Sequence, residues 1–80
     1  MPDGERERRL CRVFGARVRE LRREQNHTLS GLAETAGISL TYLSQIERGS
    51  RNPTLAIVVR LAQALDTTPE QLVAGLDRVV

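Results

Sequence analysis

Thr28-Leu29-Ser30-Gly31-Leu32-Ala33-Glu34-Thr35-Ala36-Gly37-Ile38-Ser39-Leu40-Thr41-Tyr42-Leu43-Ser44-Gln45-Ile46-Glu47-Arg48-Gly49 is the stretch on which the fold turns. Thr28 suits the N-cap of a short helix whose apolar positions are Leu32, Ala33 and Ala36. Gly31 lies inside that helix and costs about 1 kcal/mol relative to Ala, so tertiary packing must hold it. Gly37 supplies a turn residue that accepts positive φ, and Ser39 then caps a second helix over about Leu40 to Glu47. Gly49 ends it. Two short helices joined by Ala36-Gly37-Ile38 form a helix-turn-helix over roughly residues 28–48.

The second of these helices carries the chemistry. At 100° per residue, Leu43 and Ile46 fall on one side, and Thr41, Ser44, Gln45 and Arg48 on the other. Hydroxyls, an amide and a guanidinium in one outward stripe supply the donors and acceptors that read base edges and grip phosphates. A helix of about eight residues is roughly 12 Å long, and the DNA major groove is about 12 Å wide. Such a stripe taken alone is more often a plain solvated face. The Gly turn before it and the Ile46-Glu47-Arg48-Gly49 ending favour the DNA reading.

Outward from this centre the periodicity stays helical, and no segment alternates as a strand does. Leu10, Phe14, Val18 and Leu21 recur at four- and three-residue steps, with Cys11 on the same stripe, so helix one is expected from about Glu7 to Glu24. Arg8, Arg9, Arg12, Arg19 and Arg23 mostly face away from it, and residues 1–6 are expected to be disordered. After a loop at Gly49-Ser50-Arg51-Asn52-Pro53, Thr54 caps a helix with Leu55, Val58, Leu61, Ala62 and Leu65 inward. Thr68-Pro69-Glu70-Gln71 combines an N-cap, a first-turn Pro and a capping-box Gln, opening a fifth helix that bears Leu72, Val73, Leu76, Val79 and Val80. Val73, Leu76, Val79 and Val80 are too many apolar groups for one terminal helix to hide. A homodimer interface over about residues 70–80 is the expected cover. The whole of residues 1–80 reads as a single all-α domain of five short helices.

Composition removes most other classes. Catalysis needs a nucleophile with a base, or paired carboxylates, in a pocket, and one His in a predicted loop with scattered Glu offers neither. One Cys and one His make no plausible zinc site, and neither a metal nor a cofactor is expected. Cys11 reads as a small core residue rather than a redox sensor, and His27 as structural. No apolar run approaches the roughly 20 residues that cross a bilayer. Met1-Pro2-Asp3-Gly4-Glu5 lacks the apolar stretch of a signal peptide, so a cytoplasmic protein is expected. Net charge is only +2, but it is uneven: residues 1–24 hold eight Arg against five acids, and residues 25–53 hold two against two. Arg6, Arg8, Arg9 and Arg12 are read as a solvated face before a DNA-binding arm.

From Arg17 to about Leu72 the chain resembles the Cro/phage-repressor (Xre) helix-turn-helix family, most specifically in Tyr42-Leu43-Ser44-Gln45-Ile46-Glu47-Arg48-Gly49-Ser50-Arg51-Asn52-Pro53-Thr54-Leu55. The resemblance implies a compact five-helix, lambda-repressor-like domain that binds double-stranded DNA, usually as a homodimer. By position, Ser39, Leu40, Thr41 and Gln45 match base-reading sites, and Tyr42 and Arg48 match sites that touch the backbone or frame the readout. Arg51 and Asn52 match a loop that approaches phosphate or the adjacent minor groove. Thr28 and Leu29 match the start of helix two, where many members place a phosphate-binding Gln; Leu29 leaves only backbone amides for that contact. Leu40 departs from the usual polar residue and suits a thymine methyl instead. Arg22 and Glu47 sit at the edges of their apolar stripes and each need a partner; the resemblance implies that they pair. The short stand-alone form resembles restriction-modification controller proteins and single-domain phage-type repressors. An antitoxin-like module that mainly binds a protein partner is the alternative.

Overall fold

Glu and Arg dominate the first turns of the chain, and both are good helix formers. The computed structural model describes residues 2–79, and its first element, α1, runs Pro2–Glu24. It therefore starts one and a half turns before the expected Glu7, through a stretch read above as disordered. Proline lacks a donor that the first helical position would not use anyway. An Arg8–Glu5 pair at 2.8 Å links successive turns just beyond it. Twenty-three residues make a rod of roughly 35 Å, comparable to the 36 Å long axis of the molecule.

Four short helices follow, α2 Leu29–Ala36, α3 Leu40–Arg48, α4 Leu55–Ala64 and α5 Pro69–Leu72; α3 and α5 pack on this rod, and α2 packs on α3 and α4. Each begins at a side-chain cap. The hydroxyls of Thr28, Ser39, Thr54 and Thr68 accept from the amides of Gly31, Tyr42, Ile57 and Gln71 at 2.9–3.2 Å. Gly37 (φ 71°) ends α2 and Gly49 (φ 79°) ends α3, and the following amides reach back to Ala33 and Gln45. Leu32, Leu43, Ile46, Leu61, Leu65, Leu72 and Val18 are completely buried, drawing all five helices onto one core.

The C-terminal segment departs from expectation. In place of one helix bearing five apolar residues, α5 stops at Leu72 and a single 3₁₀ turn follows at Leu76–Arg78. Gly75 takes φ 75° between them. Arg17 of α1 supplies the reason: its guanidinium donates to the carbonyls of Leu72 and Ala74, each at 2.8 Å. Those oxygens would otherwise accept from amides of a continuing helix. The Gln71 side chain also differs from a capping box, accepting from the Thr67 hydroxyl. On α4, Leu55 is 78% exposed rather than inward, because it sits on the first turn at the stripe's edge and no element covers that turn. Val58, Leu61, Ala62 and Leu65 do face in.

Close backbone approach at two glycines sets the position of α3. A Cβ on Gly15 would lie 2.1 Å from the Ile46 carbonyl oxygen, and one on Gly49 would lie 2.7 Å from Cα of Arg12. Two turns further along α1, Arg22 grips Glu47 through two hydrogen bonds, Nε to Oε2 at 2.8 Å and Nη2 to Oε1 at 3.1 Å. Its third nitrogen donates to the His27 carbonyl. The two side chains are only 13% and 6% exposed, and the hydrogen bond to Glu47 raises the Arg22 pKa above its ordinary value despite burial.

Two outcomes follow in urea unfolding. Glu47→Ala leaves a buried guanidinium without its counter-charge and is expected to cost about 3–5 kcal/mol; an unchanged midpoint would refute this account of the pair. Gly15→Ala forces α1 off the end of α3 and is expected to cost about 1–3 kcal/mol, despite the better helix propensity of Ala.

Candidate nucleic-acid interface

With Leu43, Ile46 and Glu47 turned inward, the rest of α3 has nowhere to go but out. Thr41 and Arg48 are exposed, Leu40 is half exposed, and Ser44 and Gln45 are half-buried along the stripe between them. Glu47 is committed to Arg22, so Arg48 beside it has no carboxylate partner among the described residues. The face thus offers hydroxyls, one amide, one aliphatic side chain and one uncompensated guanidinium.

The loop after α3 closes one flank. The Arg51 guanidinium lies over the Tyr42 ring, 5.1 Å from its centroid. Together with Ser39, Asn52 and Thr54 they line an open concavity of about 520 Å³. Ser39 and Thr54 cap α3 and α4, so two helix N-termini, each with a partial positive charge, meet at this concavity. Thr28 is exposed at the start of α2, its hydroxyl already accepting from Gly31. Leu29 turns toward the core. The structure therefore gathers Ser39, Tyr42, Arg51 and Asn52 in one place, with Leu40, Thr41, Gln45 and Arg48 along the adjoining helix.

The expected dimer residues separate. Val73 is 43% exposed, Leu76 and Val79 are half-buried, and Val80 lies outside the described residues. Val73 and Leu76 border an apolar groove of about 160 Å³ with Leu10, Phe14, Pro53 and Val58. Cys11 also reaches it, and burial, then the charge of Glu7, pushes its thiol pKa up, away from the reactive thiolate. The expectations placed Leu55 inward and gave Val59 no role, yet the two are exposed apolar residues one turn apart on α4. They also missed Arg17, whose partners are carbonyl groups with no signature in a sequence. Among the described residues no cluster of His, Cys, Asp and Glu could hold a metal ion, and no helix is long and apolar enough to cross a membrane.

A family of helix-turn-helix domains matches this chain over residues 18–72, and the chain belongs to that family. Its relatives are DNA-binding transcriptional regulators, not enzymes. The chain is 39% identical to an HTH-type transcriptional regulator, y4dJ of Sinorhizobium fredii, over 85% of its own length and 88% of the relative's. Among solved structures, it is similar to the restriction-modification controller protein C.AhdI from Aeromonas hydrophila (TM-score 0.76, 39% identity), covering 78% of this chain and 94% of that one. It is also similar to SinR, a master regulator for biofilm formation solved in complex with DNA (TM-score 0.72, 36% identity), over 75% of this chain and 97% of that one.

For the loop flank, Arg51→Ala is expected to weaken binding on every DNA sequence alike. It should also lower the slope of log affinity against log salt by about 1, measured by fluorescence anisotropy. A loss confined to one sequence would contradict a backbone contact.

Proposed function

We propose that this chain is a homodimeric, sequence-specific regulator that reads a near-palindromic operator through the major groove. The observation that carries the reading is α3 itself: a helix anchored by completely buried Leu43 and Ile46, with Leu40, Thr41 and Gln45 presented outward. Thr41 and Gln45 bond base edges, and Leu40 packs on a thymine methyl. Ser39 opens the base-reading end of α3, Tyr42, Arg51 and Asn52 hold the backbone on one flank, Thr28 brings the α2 amides to phosphate, and Ser44 and Arg48 frame the readout.

The dimer uses the apolar face at the C-terminal end: Val73, Leu76 and Val79, with Val80 beyond the described residues, extended by Leu55 and Val59. An uncovered Leu and two uncovered Val on one small domain support an intermolecular contact. Two recognition helices related by a two-fold axis would meet half-sites about 34 Å apart, one helical turn. A role as a restriction-modification controller is supported by the near-complete coverage of C.AhdI, whose chain is matched over 94% of its length.

Selection of bound sequences from random duplexes, followed by footprinting, tests this. The expected result is a two-fold symmetric site with half-sites about one turn apart, and an affinity that falls steeply with salt. Thr41→Ala and Gln45→Ala should relax the selected sequence and leave the fold intact. Equal loss on all duplexes would contradict base reading. Absent or salt-insensitive DNA binding would favour a module whose main role is to bind a protein partner.

A further inference from the structure

One flank of α3 is closed by the Tyr42–Arg51 loop; the opposite flank is closed by α1. At 100° per residue, Tyr42 lies about 60° to one side of Gln45 and Arg48 about 60° to the other, with Ser44 beyond Arg48. On that second side a cleft of about 330 Å³ separates α3 from α1. Arg48, Arg19 and Arg23 rim it, Ser44 and the Arg22–Glu47 pair lie within it, and Leu29 at the start of α2 completes its wall.

The charges in this cleft do not balance. Arg19 and Arg23 are exposed and one turn apart on α1, a like-charge spacing that disfavours a helix by a few tenths of a kcal/mol. Neither they nor Arg48 take part in an ion pair among the described residues. The cleft's one carboxylate, Glu47, has both oxygens bonded to Arg22. Glu20 and Glu24 stand near Arg19 and Arg23 on the outer side of α1, outside this cleft, and make no ion pair with them. Three guanidinium groups around a hydroxyl, open to solvent, suit a phosphate in charge and in the donors they offer.

We infer that this cleft takes a backbone phosphate of the duplex that receives α3, which makes Arg19 and Arg23 of α1 DNA contacts. The inference rests on the DNA reading above and extends it. A helix lying in the major groove has one sugar-phosphate strand on each side, and α3 has one basic concavity on each side, with no residue in common. The loop holds one strand, and α1, beside the α2 N-terminus, holds the other. An acidic surface on a protein partner would satisfy the same charges, but Ser44 and Arg48 belong to the stripe offered to DNA, so the cleft adjoins that surface.

The test is a salt titration of the full chain by fluorescence anisotropy, on its selected site and on an unrelated duplex of equal length. The double variant R19Q/R23Q should bind both duplexes more weakly by a similar factor. Its salt slope should be shallower by about 1 to 2, with its preference for the site retained. R60Q, which removes a charge from the exposed side of α4, should keep the slope. Replacing single phosphates by methylphosphonates should reveal a position that weakens the parent protein and leaves R19Q/R23Q unaffected. A melting temperature equal to the parent's shows that the double variant is folded. If the parent slope is steep and R19Q/R23Q keeps it, or R60Q loses as much, the cleft takes no phosphate and the inference falls, while DNA binding stands. If the parent itself binds no duplex, the reading beneath it falls.

Discussion

The outward face of α3 depends on how closely α1 lies against the end of that helix. Gly15 lets the two backbones approach until the Ile46 carbonyl stands where a Cβ would be, and Gly49 does the same against Arg12. The Arg22–Glu47 pair then ties the two helices laterally. Backbone contact resists compression and the bidentate pair resists rotation, so α3 has little freedom to tilt or turn about its own axis. A nine-residue helix with marginal intrinsic stability is thereby presented as a rigid element.

The same contact determines which charges reach solvent. Glu47 is the one carboxylate on α3, and the pair with Arg22 removes it from the surface electrostatics. Arg48, Arg51, Arg19 and Arg23 are left without carboxylate partners among the described residues. A chain with a net charge of only +2 can therefore concentrate positive potential on both flanks of one helix. Bulk charge is a poor guide to local potential where the carboxylate beside a stripe is already paired.

Local signals were read most accurately where a hydroxyl, a glycine and an apolar period agreed. Thr28, Ser39 and Thr54 cap their helices, and Gly37 and Gly49 take the left-handed conformation that ends theirs. Legibility failed at the two ends, each for a nameable reason. The first turns of α1 bury no apolar stripe, so periodicity passed over a helix that charge spacing and propensity support. The apolar run from Leu72 to Val79 suggested a continuous helix, but Arg17, distant in sequence, takes the carbonyls of Leu72 and Ala74 and Gly75 turns the chain. Leu55 misled because a position on a helical wheel says nothing about whether an element lies opposite it.

By itself the sequence determined the class of the domain, the limits of the helix-turn-helix and the side of α3 that faces out. These are properties of neighbours within one or two turns, written in caps and in the 3.6-residue period. The tertiary structure alone decided the closeness of α1 to α3, the early stop of α5 and the gathering of Arg19, Arg23 and Arg48 around one cleft. Each of these joins residues far apart along the chain, and such meetings depend on the path of the whole backbone.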